Sequence, residues 1–277
     1  MGAPAWHLNV RARAWPIVTS VRSLWEHRQV LRMLVLRDLQ KQYTKFRLGY
    51  LWTLLEPLGM SIVLWFVFSV LLGARALGLQ PYLLFLSLAI LPWWWFTKGV
   101  AASTRVFRRA GGQLRISLLP TELWVLRVLL VSMVEFLLSL PVVLIAMLVT
   151  GTWPGPLILL FPVAIVLQFL LMYGLSLLIS AGSVVIPDLA RIVRIVLRAL
   201  FYLSPVLYSI SNIPQQLQGV AALNPLVGVL GLYRIGFWPE EIESAAGYGI
   251  SLALCLVILV VGIIVFRRIE PRILKEA

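Results

Sequence analysis

The stretch Val35–Gly73, VLRDLQKQYTKFRLGYLWTLLEPLGMSIVLWFVFSVLLG, changes character at Leu48. Before that residue, Arg37, Lys41 and Lys45 recur at every fourth position; after it, Glu56 is the lone charged side chain up to Gly73. A helix that crosses a bilayer needs about 20 apolar residues, and Leu48–Gly73 exceeds that. The same alternation repeats along the chain. Twenty of the 24 Lys and Arg residues fall in four clusters, at 11–47, 105–115, 191–198 and 267–275, with long apolar stretches between them. Cytoplasmic loops collect Lys and Arg, so the clusters predict four inside segments and both termini in the cytoplasm.

Composition leads to the same class. Hydrophobic residues make up 61% of the chain and charged residues 13%, more apolar surface than a soluble domain of this length can hide. The net charge of +13 lies beside apolar spans, which matches anionic lipid headgroups and not nucleic acid. The first 48 residues place charge where a cleaved signal would need an apolar core. Cys255 is the single cysteine, which excludes an intrachain disulfide and a cysteine-cluster metal site.

Six apolar stretches read as spans: 48–73, 81–100, 123–149, 156–185, 192–210 and 247–266. The expected fold is therefore an all-α integral membrane protein with six transmembrane helices. Its parts are a cytoplasmic N-terminal segment (1–47), a membrane domain (48–266) and a basic cytoplasmic tail (267–277). Two outside connections are brief, and Gly151–Gly155 reads as a turn. The third, 211–246, holds Asn224-Pro225 followed by Leu226–Trp238, an apolar run too short to cross a hydrocarbon layer of about 30 Å. It reads as a re-entrant external hairpin, with an external helix lying on the surface as the other possibility. Non-helical backbone at membrane depth needs protein or a water-filled cavity around it, so a hairpin here points to a pathway.

Ahead of the first span, Val35, Leu39, Tyr43 and Phe46 share one helical face while Arg37, Lys41 and Lys45 form a basic stripe, the pattern of an amphipathic interfacial helix. Like charges four residues apart oppose an isolated helix; a headgroup layer reverses that preference, at about 1 kcal/mol per cation.

The chain lacks the chemistry of an enzyme. It contains no Gly-Lys dipeptide and so no P-loop; if ATP drives it, another chain binds ATP and Mg. His7 and His27 stand apart from any carboxylate at ligand spacing, and Asp38, Glu122 and Asp188 are scattered singly among basic residues. Charged side chains inside spans cost about 2.5–3.5 kcal/mol each at the bilayer centre and are paired or functional. Lys98 and Arg127 lie near span ends, where they can snorkel. Glu56, next to Pro57, reads as facing the bundle at a kink, and Glu135 as pairing with a neighbouring helix. The aromatics Trp52, Trp65, Trp93, Trp94, Trp95, Phe96, Phe201, Tyr202 and Tyr208 read either as belt and packing residues or, in part, as the wall of a conduit whose ring faces let a sugar chain slide.

Three segments carry a family resemblance. They are Leu36-Arg37-Asp38-Leu39 continuing through Leu48-Gly49-Tyr50-Leu51-Trp52 to Glu56-Pro57-Leu58; Leu114-Arg115-Ile116-Ser117-Leu118-Leu119-Pro120; and Pro187-Asp188-Leu189-Ala190-Arg191 through Leu203-Ser204-Pro205 to Asn224-Pro225-Leu226. In order and spacing they resemble the permease subunit of type-2 ABC exporters of polysaccharides, the group that moves O-antigen, capsule, teichoic acid and galactan. Two departures stand out: the second segment lacks the Lys and aromatic-Pro pair that many members carry, and Ser204 replaces the usual Thr before Pro205.

The resemblance implies a homodimer of six-helix subunits with two ATPase subunits, residing in the bacterial inner (plasma) membrane. No convincing internal repeat supplies two halves from one chain. It places the interfacial helix and the point where a lipid-linked glycan enters at Arg37, Asp38, Lys41, Lys45 and Arg47. ATPase coupling falls on Arg108, Arg109, Arg115, Pro120, Asp188, Arg191 and Arg194, and the channel lining on Trp52, Glu56, Trp65, Phe201, Tyr202 and Tyr208. Asn224 and Pro225 form an external gate. The competing classes are a type-2 exporter of teichoic acid, drugs or ions, an ATP-independent transporter using Glu56 and Glu135, and a membrane glycosyltransferase.

Overall fold

The structure, a computed structural model, describes residues 24–44, 47–71, 73, 78–112, 114, 119–241 and 245–276. Its helices are α1 (Arg28–Tyr43), α2 (Trp52–Trp65), α3 (Tyr82–Ser103), α4 (Val106–Ala110), α5 (Thr121–Ser139), α6 (Pro141–Thr150), α7 (Phe161–Val185), α8 (Leu189–Leu203), α9 (Gln215–Ala221), α10 (Pro225–Arg234) and α11 (Ala245–Glu276). A 3₁₀ turn, Gly49–Leu51, leads into α2, a π-helical turn, Phe66–Leu71, extends it, and Pro156–Leu160 leads into α7. No strand occurs among the described residues, as expected where each backbone polar group must be satisfied within its own segment.

Five stretches are long and apolar enough to cross a membrane: Gly49–Leu71, Tyr82–Ser103, Thr121–Thr150, Pro156–Val185 and Gly247–Lys275. The stretch expected to form the fifth span, 192–210, differs. Its helix, α8, has 15 residues, about 22 Å at 1.5 Å per residue and short of the hydrocarbon thickness. Pro205 explains the stop: it has no N–H to continue the ladder and it pushes the preceding residue out of the helical region. Ser204 is accordingly extended (φ −98°, ψ 149°). The start and end of this stretch still lie at opposite ends of the bundle. Leu189 packs at Gly182 near the end of α7, while the Leu207 carbonyl accepts from the Tyr82 hydroxyl at the head of α3 (2.8 Å).

The bundle is built around α3. In its most apolar window 78% of residues are buried, against 11% in the first span, so α3 is an internal strut and α2 a loosely held outer element. Trp93, Trp95 and Phe96, read as belt or conduit aromatics, are packed in the core, with Trp95 stacked on Phe136 at 4.7 Å. A second cluster at the other end of the helices joins Val106, Phe107 and Ala110 of α4 to Trp124, Leu177, Phe266 and Ile273. The segment read as a basic tail therefore continues the α11 helix as far as Glu276, with Ile273 buried against the rest.

The expected N-terminal helix is α1. Leu31, Val35, Leu39 and Tyr43 form its buried face, yet that face meets Leu123 and its neighbours Leu126, Leu130, Val131 and Val134 of α5. The apolar stripe is covered by protein where the sequence reading gave it to the lipid. Phe46, expected on the same face, lies outside the described residues.

α7 and α11 touch backbone to backbone. A Cβ on Gly174 would stand 2.6 Å from the Leu259 Cα, and one on Gly262 would collide with the Gly174 carbonyl. Helices in lipid gain from close van der Waals approach at small residues, and overpacking costs about 1–3 kcal/mol. Gly262→Ala should therefore lower the thermal unfolding midpoint in detergent, whereas Gly249→Ala, on the same helix with nothing within 4 Å, should leave it unchanged or slightly raised.

Candidate functional site

Glu135 sits on α5 and is 6% exposed. An unpaired carboxylate there would be costly, and three elements converge on it. Gln42 Nε2 and Tyr43 Oη, at the end of α1, each donate to Oε1 at 2.6 Å, and Lys98 Nζ of α3 lies 2.7 Å from Oε2. Burial, and then the hydrogen bond to Glu135, push the Tyr43 phenol far above its ordinary range, so it remains a donor. The expectation that Glu135 pairs with a neighbouring helix holds. Lys98, read as snorkelling, is its partner while keeping half of its side chain exposed.

About two turns toward the start of α5, Arg127 grips Asp38 of α1 in a two-pronged ion pair, Nε to Oδ2 at 2.6 Å and Nη2 to Oδ1 at 2.5 Å. Its guanidinium also lies over the Trp124 ring at 5.4 Å. Asp38 and Arg127, read separately as a scattered acid and a snorkelling cation, thus form one clamp. Of the other cations assigned to the incoming substrate, Lys41 and Arg47 are exposed, Arg37 is half-buried, and Lys45 lies outside the described residues.

The residues assigned to coupling gather at the end of the bundle where α3, α7 and α11 finish. Arg108 and Arg109 project from α4, whose apolar residues sit in the cluster with Phe266 and Ile273. There Thr121 Oγ1 donates to Glu270 (2.5 Å) and Arg267 pairs with Glu122 (3.7 Å). Asp188 and Arg191 are exposed and 3.6 Å apart, and Arg194 Nε donates to the Ala190 carbonyl. Pro120 opens α5; Arg115 lies outside the described residues.

Of the residues assigned to a channel, Trp52, Glu56, Trp65 and Tyr202 are exposed, while Phe201 packs edge-on against Trp93 at 5.5 Å. The Tyr208 hydroxyl donates to the Tyr202 carbonyl at 3.1 Å. All but Tyr208 lie on α2 and α8, two lightly buried apolar elements whose outward residues include Ile62, Val63, Ile195, Val196 and Leu203.

Asn224 caps α10, its Oδ1 accepting from Leu226 N (3.1 Å) with Pro225 at the first helical position, as Asn and Pro favour. Its Nδ2 donates to Ser204 Oγ at 2.8 Å, so the hydroxyl before the proline break is tied to the start of α10. Arg234, 8% exposed, completes the tie: Nη1 donates to Pro205 O (2.6 Å), Nη2 to Val206 O (2.9 Å) and Phe85 O (3.2 Å), and the guanidinium stacks 3.5 Å over the Phe85 ring. The sequence reading passed over Arg234; a lone cation in an apolar run was its signal, since such a charge must be satisfied.

A chain that is all-helical among the described residues, with several stretches long enough to cross a bilayer and with Glu135, Arg127 and Arg234 held by polar partners, is a multi-pass membrane protein. Residues 29–238 match the family described as ABC-2 type transporter, and the chain belongs to that family. It is 29% identical over 231 residues to the O-antigen export system permease protein RfbA of Myxococcus xanthus, covering 83% of this chain and 88% of the relative. The polysialic acid transport protein KpsM of Escherichia coli is 26% identical over 268 residues, 92% of this chain and 99% of that protein. A Klebsiella pneumoniae RfbA is 24% identical over 237 residues, 85% and 90% respectively.

The Asp38–Arg127 clamp is partly buried, between the range of surface pairs and that of fully buried ones. Asp38→Ala or Arg127→Ala should each cost about 1–3 kcal/mol. The double replacement should cost less than the sum of the two in a thermal-unfolding cycle. Arg234→Ala, which leaves buried carbonyls without a donor, should destabilise by about 2 kcal/mol or more, with Arg234→Lys intermediate.

Proposed function

We propose that this chain is the transmembrane permease subunit of an ATP-driven exporter that moves a lipid-linked polysaccharide, of the O-antigen or galactan type, from the cytoplasm across the inner membrane. It works as a homodimer of six-crossing subunits with both termini in the cytoplasm. Two copies of a separate ATPase subunit bind ATP and Mg and hydrolyse the nucleotide. The observation that carries this reading is the match along most of the chain to proteins named for O-antigen export and polysialic acid transport. The geometry supports it: α2 and α8 present long exposed apolar faces, as two elements would that complete their packing against a second subunit or a cargo. The opposite-end placement of Leu189 and Leu207 supports a fifth crossing made of α8 plus the non-helical turn Ser204–Ser209.

In this mechanism closure of the ATPase dimer pushes on the Arg105–Pro120 region, on the turn from Asp188 to Arg194 and on α1. The clamp of Asp38 on Arg127 and the hydrogen bonds of Gln42 and Tyr43 to Glu135 carry the motion of α1 into α5 and α3. The pyrophosphate of the incoming lipid is received by Arg37, Lys41, Lys45 and Arg47, cations suited to phosphate oxygens. The sugar chain then follows between the first and fifth spans past Trp52, Glu56, Trp65, Phe201, Tyr202 and Tyr208. The segment headed by Asn224 and Pro225, re-entrant between the fifth and sixth crossings, closes the outer mouth.

Charge reversal of Lys41 and Arg47, both exposed, tests the loading step. Export of the glycan to the cell surface should fall at least about tenfold, the loss of about 1.4 kcal/mol or more, with lipid-linked glycan accumulating in the cytoplasmic leaflet while the ATPase still co-purifies. Unchanged export would refute the loading site, and a depletion strain with no glycan accumulation would refute the export function itself.

A further inference from the structure

Behind the first span lies a cavity of about 60 Å³, walled by Thr53, Glu56 and Pro57 of α2, Leu91, Trp94, Trp95 and Lys98 of α3, and Ser132, Glu135, Phe136 and Ser139 of α5. At about 10–15 Å³ for each water centre, it has room for a small cluster of waters or for one substituted edge of a sugar ring. Its polar inventory is lopsided. Glu135 is 94% shielded and turns Oε2 to the Lys98 ammonium, with Oε1 taken up by α1. The hydroxyls of Ser132 and Ser139 give their protons to the carbonyls of Leu129 and Phe136, so their oxygens can only accept. Trp95 is 3% exposed, and its buried indole N–H has no hydrogen-bond partner. An orphaned indole donor costs about 1–3 kcal/mol and marks a place where an acceptor belongs.

Two carboxylates against one ammonium make the cavity net negative, so it is a poor receiver of phosphate. Acceptors in excess, one unpartnered indole N–H in the wall and the Trp94 ring suit a neutral group that both donates and accepts, which is the chemistry of sugar hydroxyls. Its place in the fold supports the same ligand: the cavity adjoins Glu135, to which Gln42 and Tyr43 bind, immediately after the exposed Lys41.

We propose that this cavity is a specificity pocket for the sugar nearest the pyrophosphate of the lipid-linked substrate, distinct from the cationic surface that receives the phosphates. The inference rests on the export reading above. In it, the first sugar places one hydroxylated edge between Trp95, Ser132 and Glu135, and the pocket reads which monosaccharide the chain begins with.

The test uses the complete complex of this chain with its ATPase in nanodiscs, and two probes: a polyprenyl diphosphate bearing one monosaccharide and the same polyprenyl diphosphate without sugar. For the unaltered protein, half-maximal stimulation of ATP hydrolysis should occur at about tenfold lower concentration of the sugar-bearing lipid, the size of a hydrogen bond to a charged group. Ser132→Leu, which fills the cavity without touching the cations, should bring the ratio of the two concentrations to about one. If that variant does not assemble, Trp95→Phe, which deletes the indole N–H, should lower the ratio. Equal response of the unaltered protein to both lipids, or a ratio preserved in the variants, would overturn the pocket. Stimulation by neither lipid would instead count against the export reading and the pocket with it.

Discussion

A carboxylate buried among apolar helices must be satisfied by its neighbours, and much of this molecule is arranged around that requirement at Glu135. The end of α1 supplies two donors and α3 supplies the ammonium. The price of placing a charge there is met only while α1, α3 and α5 keep their relative positions. α1 is thereby keyed to the bundle at three points, since Asp38 adds the clamp on Arg127 and Leu31, Val35 and Leu39 add apolar contact.

The same principle governs the opposite end. Pro205 stops α8, and the non-helical backbone after it needs protein partners: Arg234 donates to the Pro205 and Val206 carbonyls, and Asn224 to the Ser204 hydroxyl. Both ends of the molecule are thus fastened by polar groups in apolar surroundings. The elements between them differ in how firmly they are held. α3, α7 and α11 form a packed unit, the last two in backbone contact, whereas among the residues of α2 only Pro57 and Ser61 are buried. The subunit is thus a packed core carrying two lightly buried flanks, α2 and α8.

Much of this was legible in the sequence. Apolar length located the first four spans and the last, and period-four spacing located α1. What escaped depends on side-chain direction and on contacts far apart in the chain. Nothing local to Arg127 names Asp38, 89 positions away, and the stripe of α1 has the same period whether it faces lipid or α5. The fifth stretch was misjudged in length because hydropathy counts residues and ignores a proline that ends the ladder. Arg194 and Arg198 in its first half, and Pro205 in its second, were visible signs of a shorter helix.

In the proposed function this chain forms the membrane path for a lipid-linked glycan, and nucleotide hydrolysis by another protein drives it. Reconstitution into sealed proteoliposomes, with a lipid-linked oligosaccharide whose exposure to an external lectin or glycosidase is followed in time, tests this most directly. Movement of the oligosaccharide should require this chain, the ATPase and ATP together. Movement by the chain alone, or none with all three present and ATP being hydrolysed, would contradict it.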